Sequence, residues 1–135
     1  MNILTPTADG SNTLFNETIG EHYHSSHGAL QESKHVFIEA GLKYAIEQQK
    51  KIEINVLEVG FGTGLNFLLS FAHSDENRIQ LNYTGIEAFP LSKSVVQETG
   101  YEKYVPKIIW SSFTDNYENC LNQRQNLSSN CSLQI

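Results

Sequence analysis

The chain has 135 residues, of which 39% are apolar, and it carries a formal net charge of −6. A chain of this length holds at most one domain, and this apolar fraction gives a modest core. The negative charge argues against a general nucleic-acid-binding surface, so any contact with RNA would need a local patch or a partner.

The two cysteines, Cys120 and Cys131, bear on the cellular compartment. The first residues lack the basic end and long apolar run of a secretory signal, and no apolar run is long enough to cross a bilayer. Two thiols without such a signal fit a reducing cytoplasm better than a disulfide framework. We therefore expect a soluble cytoplasmic protein that has no membrane contact, with inert cysteines.

The first fifty residues predict a hairpin and then helical structure. Asp9-Gly10 is a strong turn signal within segment 5–19, which predicts a small hairpin. A polar, histidine-rich stretch without a clear period follows at 21–29. Apolar residues at helical spacing then run from about 29 to 49, and Gly41 is expected to break or bend that helix.

The stretch that organises the chain begins at Lys51. An apolar, β-branched run over 53–59 predicts a buried parallel strand, and a helix is predicted from Leu65 to about His73. A sharp turn between them leaves N–H groups at the helix start, which should favour an anionic ligand group. Three glycines at alternate positions make up this turn: Gly60, Gly62 and Gly64.

A second strand is predicted at 79–87, because apolar residues alternate with polar ones there. A helix should follow, with Pro90 near its first turn and Gly100 as its stop. The apolar piece 105–110 has an ambiguous assignment. Residues 118–135 are dominated by Asn, Gln and Ser, which predicts a poorly ordered or aberrant tail.

The glycine spacing bears on the ligand. A dinucleotide fingerprint has the pattern G-x-G-x-x-G, whereas this chain has G-x-G-x-G with Glu58 before it. That combination resembles motif I of class I S-adenosylmethionine-dependent methyltransferases. Glu87 ends the second strand, where doubly wound folds place a carboxylate that accepts hydrogen bonds from both ribose hydroxyls.

Each of these residues also has a plain structural interpretation. The glycines could form a turn without a ligand, and Glu87 could be a solvent-facing acid at the end of a strand. Glu58 could orient the ammonium group of the cofactor or be a strand-edge acid, and Asn66 could cap the helix or contact the methionine part of the cofactor. The predicted cofactor-binding residues are Glu58, Gly60, Phe61, Gly62, Gly64, Asn66, Glu87 and Ala88.

Three closely spaced histidines, His22, His24 and His27, could suggest a metal site. No carboxylate or cysteine stands beside them at a familiar ligand spacing. We therefore expect them to be solvated loop residues or side chains at the mouth of a pocket, and we expect no metal.

The order of motifs carries a more specific resemblance. Segments 7–15, 22–38, 57–66 and 83–91 look like the N-terminal part of the MnmC-type (MnmD) methyltransferases. That family methylates the aminomethyl group on the wobble uridine of certain tRNAs, with S-adenosylmethionine as the donor. The resemblance implies a tRNA substrate and substrate contacts from Tyr23, His24 and Ser25.

The resemblance ends near Trp110. The family carries an Asp-Ala-Phe segment near its reacting centre, and 115–117 does not match it, so no catalytic residue is assigned. The expected fold is α/β: the first half of a Rossmann-like class I methyltransferase sheet over 51–117, preceded by a hairpin and helix over 1–50. The later strands and the fused oxidase domain of the bifunctional form are expected to be absent.

Three functions remain open from the sequence. The first is a tRNA wobble-uridine methyltransferase or its N-terminal portion, with an oligomer or a separate oxidase as a possible partner. The second is a methyltransferase of the same fold that acts on a small molecule or a protein. The third is a catalytically inactive fragment, because half a sheet buries little apolar surface against chain entropy.

Overall fold

The computed structural model describes residues 1–50 and 52–135, so Lys51, where the predicted strand–turn–helix stretch begins, lies outside the described residues. In this part of the chain no helix is long and apolar enough to cross a membrane. The elements in chain order are β1 (Asn2–Pro6), β2 (Asn12–Asn16), β3 (Glu21–His22), α1 (Ala29–Glu32), a π-helical segment (Ser33–Lys43), α2 (Tyr44–Gln49), β4 (Glu53–Val59), α3 (Leu65–Glu76), β5 (Gln80–Ile86), α4 (Lys93–Glu98), a 3₁₀ turn (Tyr101–Lys103), α5 (Lys107–Cys120), β6 (Gln125–Ser128) and β7 (Cys131–Gln134).

The strands form two sheets. The first is antiparallel in the order β1-β2-β3, and the second has the order β4-β5-β7-β6. In the second sheet β4, β5 and β7 run parallel, while β6 is antiparallel to β7. The register of β4 with β5 ends at Val59 opposite Ile86. Gly60 and Glu87, the next residues, therefore emerge side by side at one edge of the sheet.

The predicted N-terminal hairpin is confirmed, and it does more than reverse the chain. β1 and β2 pair from Asn2 opposite Asn16 to Pro6 opposite Asn12. The turn between them satisfies backbone N–H groups that a helix start leaves without partners, and so attaches the hairpin to α1. Ala29 N–H donates to Thr7 Oγ1 (3.1 Å), Leu30 N–H to Ser11 Oγ (3.0 Å) and Gln31 N–H to Asp9 Oδ2 (2.9 Å).

An aromatic cluster on one face of the second sheet forms the centre of the core. Phe67 lies at its middle, with ring centroids 5.1 Å from Tyr83 and 5.4 Å from Phe113. Phe61 packs against the same three rings. These four side chains are almost fully buried, so they fix the turn after β4, α3, β5 and α5 relative to one another.

The opposite face of the same sheet is open where β4 and β5 end. Leu57 is 65% exposed, Val59 is 80% exposed and Ile86 is 51% exposed. The helices therefore cover these strands on one face only.

Of the two outcomes predicted for Gly41, a broken helix or a bent one, the break is wrong. Gly41 lies inside the π-helical segment, and helical structure is continuous from Ala29 to Gln49. Its neighbours Ile38 and Leu42 are buried in the core. Their packing holds the segment helical despite the low intrinsic propensity of glycine.

The prediction of a poorly ordered tail over 118–135 is also wrong. These residues complete α5 and form β6 and β7, and β7 pairs in parallel with β5. The sheet thus continues beyond the two predicted strands. Leu127, Cys131 and Leu133 are buried, so a few apolar residues anchor strands that are only four residues long.

Two smaller differences concern the helices after β5. The helix predicted from Pro90 begins at Lys93, because Ser92 is its N-cap and accepts a hydrogen bond from Val95 N–H. The ambiguous piece 105–110 contributes the first turn of α5.

Candidate cofactor-binding site

The glycine turn between β4 and α3 has a backbone that depends on glycine at two positions facing the site. Gly60 has φ +82°, and no atom of the described residues lies within 4 Å of where its Cβ would be, so the space above it is open. Gly62 has φ +55°, and a Cβ there would lie 2.9 Å from Cδ1 of Tyr23. The turn is therefore open at its first glycine and covered by an aromatic ring at its second.

The amide groups of this turn are directed at protein acceptors. Gly60 and Phe61 N–H donate to the carbonyl of Ile86 at 2.8 and 3.2 Å, and Gly64 N–H donates to the carbonyl of Phe61. Gly62 N–H donates to Oε2 of Glu87 at 2.9 Å. These four amides are therefore occupied by protein acceptors: Ile86 at the end of β5, Glu87 just beyond it, and Phe61 in the turn itself. The start of α3 has no side-chain cap among the described residues, so the preference of the helix start for an anionic ligand group stays a prediction.

Glu87 lies where the sequence predicted a ligand-binding carboxylate, beside the glycine turn. Its Oε2 accepts from Gly62 and its Oε1 accepts from Phe89 N–H at 3.0 Å. Each carboxylate oxygen can accept a second hydrogen bond. Glu87 is thus fixed by two backbone donors and keeps acceptor capacity for hydroxyl groups of a ligand.

Glu58 and Asn66 form a buried polar pair at the other side of the turn. Glu58 accepts from Asn66 Nδ2 at 2.8 Å and from the Tyr83 hydroxyl at 2.7 Å. Burial raises the pKa of Glu58, and the nearby charge of Glu87 acts in the same direction. Oδ1 of Asn66 is buried without a partner among the described residues. An unpaired buried oxygen is costly, so a donor from a ligand would be favourable there.

Within the described residues, the side chains of the other predicted cofactor residues do not form hydrogen bonds at the site. The Phe61 side chain points into the aromatic core, so its contribution to a ligand would come mainly from its backbone. Gly64 is the N-cap of α3. Ala88 is exposed just beyond β5, next to Glu87.

The three predicted substrate residues follow β3 and reach the glycine turn from the N-terminal sheet. The ring of Tyr23 lies on Gly62. Nε2 of His24 lies 3.1 Å from Oγ1 of Thr63, a buried residue of the turn that sequence reasoning missed. Ser25 N–H donates to Glu32 at 2.7 Å. Tyr23 and His24 therefore face the turn, whereas Ser25 contacts α1.

Two cavities flank the glycine turn, and Tyr23 lines both. The smaller measures about 410 Å³ and the larger about 630 Å³. The smaller one is lined by Tyr23, His24, Glu32, Ser33, Val36, Phe37, Leu57, Glu58, Val59, Gly60, Phe61 and Asn66. The larger one is lined by Asn2, Asn16, Thr18, Ile19, Glu21, His22, Tyr23, Glu87 and Phe89.

The histidines and cysteines do not assemble a second reactive centre in the described part of the chain. No group of three or more His, Cys, Asp or Glu side chains there could hold a metal ion. Both cysteines are buried, which raises the pKa of Cys120 to about 11 and that of Cys131 to about 12. Neither thiol is therefore a nucleophile at neutral pH.

Sequence comparison relates the chain to curated MnmC proteins, which are named tRNA 5-methylaminomethyl-2-thiouridine biosynthesis bifunctional proteins. It is 37% identical over 83 residues to the protein of Acidovorax sp. (strain JS42), covering 59% of this chain and 13% of that protein. It is 32% identical over 103 residues to the protein of Leptospira borgpetersenii (strain JB197), covering 72% of this chain and 14% of that protein. No protein-family model matches the chain.

Structure comparison gives a consistent relationship. MnmC2 from Aquifex aeolicus matches with a TM-score of 0.72 and 26% identity, covering 100% of this chain and 41% of that one. The chain thus has a Rossmann-like methyltransferase fold, as the sequence predicted. It spans less than half of this solved structure and about one seventh of the curated MnmC proteins.

Proposed function

We propose that this chain, a relative of the MnmC proteins, forms the cofactor-binding part of an S-adenosylmethionine-dependent methyltransferase that acts on the aminomethyl group of the wobble uridine in tRNA. The methyltransferase fold and the names of the curated relatives support this assignment. Those names assign the longer relatives to the biosynthesis of 5-methylaminomethyl-2-thiouridine in tRNA, and the methyl donor and the acceptor amine of this chain are part of the proposal.

The observation that carries the cofactor assignment is the chemistry of the site, where four turn amides are used within the protein, while Glu87 and Asn66 present oxygens with unused acceptor capacity. A pyrophosphate on this turn would require its amides as free donors. S-adenosylmethionine instead presents an ammonium group and two ribose hydroxyls as donors, and its ammonium, sulfonium and carboxylate together give it a net positive charge. The residues present therefore fit this cofactor.

Each residue has a distinct part in holding it. Oδ1 of Asn66, beside the Glu58 carboxylate, would accept from the ammonium group. Glu87 would accept from the ribose hydroxyls, and the open space above Gly60 would admit the ligand close to the backbone. Asn66 and Glu87 would thus bind the methionine and ribose parts of the cofactor, which lie on either side of its sulfur.

The bound cofactor would supply a methyl group on a positively charged sulfur. Displacement by an amine needs alignment and an unprotonated nitrogen more than covalent help from the protein. In this chain the Tyr23 ring covers the turn between the two cavities. We assign it the role of limiting the direction from which an acceptor amine approaches.

The test is methyl transfer from labelled S-adenosylmethionine to tRNA that carries 5-aminomethyl-2-thiouridine at the wobble position. Incorporation into this tRNA, and not into tRNA with unmodified uridine, is the expected result. Transfer to neither tRNA, with cofactor binding intact, would refute the tRNA assignment while leaving the cofactor site in place.

A second candidate is a methyltransferase of the same fold that acts on a small molecule or a protein. The residues that line the two cavities include Glu21, Glu32, Glu58 and Glu87 but no Lys or Arg. RNA-binding surfaces usually carry cations that contact phosphates. Methyl incorporation into a tRNA-free extract, and none into the modified tRNA, would favour this candidate.

A further inference from the structure

Thr63, between the last two glycines of the turn, connects the turn to two distant parts of the chain. It is fully buried. Its Oγ1 lies 3.1 Å from Nε2 of His24, on the loop after β3, and 3.2 Å from the hydroxyl of Tyr101, in the 3₁₀ turn. The Tyr101 hydroxyl also donates to the carbonyl of Asn12 in β2, at 2.8 Å. The glycine turn is therefore fixed by side chains that lie outside the strand–turn–helix unit.

We infer that His24 is a positioning residue which, as a neutral imidazole, holds the glycine turn through Thr63 and thereby sets the affinity of the site for S-adenosylmethionine. This inference rests on the proposed function. It assigns His24 to the cofactor turn, whereas the sequence predicted a substrate contact.

The hydrogen-bond geometry explains why neutrality matters. Because Tyr101 donates its proton to Asn12, the Thr63 hydroxyl can donate its own proton either to an unprotonated Nε2 of His24 or to the Tyr101 oxygen. An imidazolium has no acceptor, so on protonation His24 can only donate to Thr63, and the Thr63 proton is left with the Tyr101 oxygen at 3.2 Å. Protonation of His24 would thus fix the direction of the hydrogen bonds around Thr63, which the neutral ring leaves free to adopt either direction.

The positive charge of a protonated His24 would also weaken binding of the cofactor. His24 lines the smaller cavity with Glu58 and Tyr23, and its Nδ1 lies 3.9 Å from Oε2 of Glu32 on α1. Burial lowers the pKa of His24 from its usual value, and the attraction of Glu32 opposes this effect. An imidazolium in the cavity wall would also repel S-adenosylmethionine, whose ammonium, sulfonium and carboxylate together give it a net positive charge. Binding should therefore weaken as the pH falls and His24 becomes protonated.

The experiment is calorimetric titration of S-adenosylmethionine into the protein at several values between about pH 7.5 and about pH 5, the range in which histidine titrates. The variant His24→Gln keeps a carbonyl that can accept from Thr63 but does not titrate. The Kd of the wild-type protein should rise at least about threefold more over this range than that of His24→Gln. His35→Gln, an exposed histidine on the π-helical segment, should follow the wild-type profile.

Parallel profiles for the wild-type protein and a folded His24→Gln variant would overturn the inference, because the remaining pH dependence would belong to other groups such as Glu58. If His24→Gln does not melt cooperatively, the variants Thr63→Val and Thr63→Ser test the inference in its place. Weaker binding in Thr63→Val with recovery in Thr63→Ser supports the inference, and wild-type binding in Thr63→Val overturns it. Absence of any binding to the wild-type protein at neutral pH would instead reject the proposed function as well.

Discussion

Replacement of Asp9 tests the attachment of the N-terminal hairpin to the helix that follows it. Asp9 Oδ1 accepts from the backbone and hydroxyl of Ser11 and lies 2.9 Å from Oγ1 of Thr7, while Oδ2 accepts from Gln31 N–H. Asparagine would remove the charge from the helix start and place an amide where an acceptor is needed. Asp9→Asn should therefore destabilise the fold without changing its architecture.

The magnitude follows from two contributions. Loss of a helix cap costs about 1 kcal/mol. Loss of a negative charge at the helix start costs roughly another 0.5 kcal/mol, a reduced value because Asp9 is exposed. Unfolding entropy of roughly 2 cal/mol/K per residue over 135 residues converts the sum of about 1.5 kcal/mol into a decrease in Tm of about 5 °C.

The pH dependence of this effect has a defined sign. Burial alone would raise the pKa of Asp9, but the hydrogen bonds from Ser11, Gln31 and Thr7 lower it to about 2. A carboxylate whose folded pKa is lowered stabilises the protein above its unfolded pKa, and that contribution is lost as the pH falls through the folded pKa. The stability difference between the wild-type protein and Asp9→Asn should therefore shrink between about pH 4 and about pH 2.

Urea unfolding followed by circular dichroism measures the free energy of unfolding of each variant and, when it is repeated at lower pH, the pH dependence of that free energy. Asp115→Asn is the matched control, because Asp115 is an exposed carboxylate on α5 far along the chain from the hairpin, and surface changes of this kind stay within about 0.5 kcal/mol. A free energy of unfolding for Asp9→Asn equal to that of this control at neutral pH would refute the capping role. A difference that persists unchanged to about pH 2 would refute the pKa argument.

Three further predictions concern the turn and the core. Gly62→Ala should weaken S-adenosylmethionine binding and lower Tm more than Gly20→Ala does. Both glycines have positive φ, but of the two only Gly62 would bring the new methyl group against a ring. Equal losses of Tm in the two variants would contradict this prediction. Glu58→Gln should gain stability relative to the wild-type protein as the pH rises above about 4.5, because the raised pKa of Glu58 in the folded state makes its ionised form costly. A difference in free energy of unfolding between the two proteins that does not change with pH in urea titrations would contradict this prediction. Phe113→Ala should cost about 3–5 kcal/mol by leaving a cavity beside Phe67 in the aromatic cluster. A loss below about 1 kcal/mol on denaturation would show that this ring does not anchor α5.

The sequence predicted those parts of the fold that local pattern determines. The alternation at 79–87 and the apolar run at 53–59 were sufficient for β5 and β4, and Asp9-Gly10 was sufficient for the hairpin. β6 and β7 were missed because strands of four residues, rich in Asn, Gln and Ser, acquire their stability from pairing with β5 and not from their own composition. Whether Gly41 breaks the helix or only bends it was left open by the sequence for a related reason, since burial of its neighbours decides it.

The site, like the fold, was predicted only in part from the sequence. The spacing of the glycines and the position of Glu87 were sufficient to bring the turn and the carboxylate together, because parallel strands in register end at the same edge. The direction of the turn amides depends on which acceptors β5 presents, and the contact between His24 and Thr63 depends on how the first sheet packs. Neither is encoded in a local pattern.

The most direct test of the cofactor site is calorimetric titration of S-adenosylmethionine into the wild-type protein, Glu87→Gln and the control Glu98→Gln, an exposed glutamate at the end of α4. Each variant's thermal melt should first establish that it is folded. We predict saturable binding to the wild-type protein and to Glu98→Gln, and at least about tenfold weaker binding to Glu87→Gln, the loss expected for hydrogen bonds to a charged acceptor. No binding to the wild-type protein, or equal affinity in all three, would contradict it.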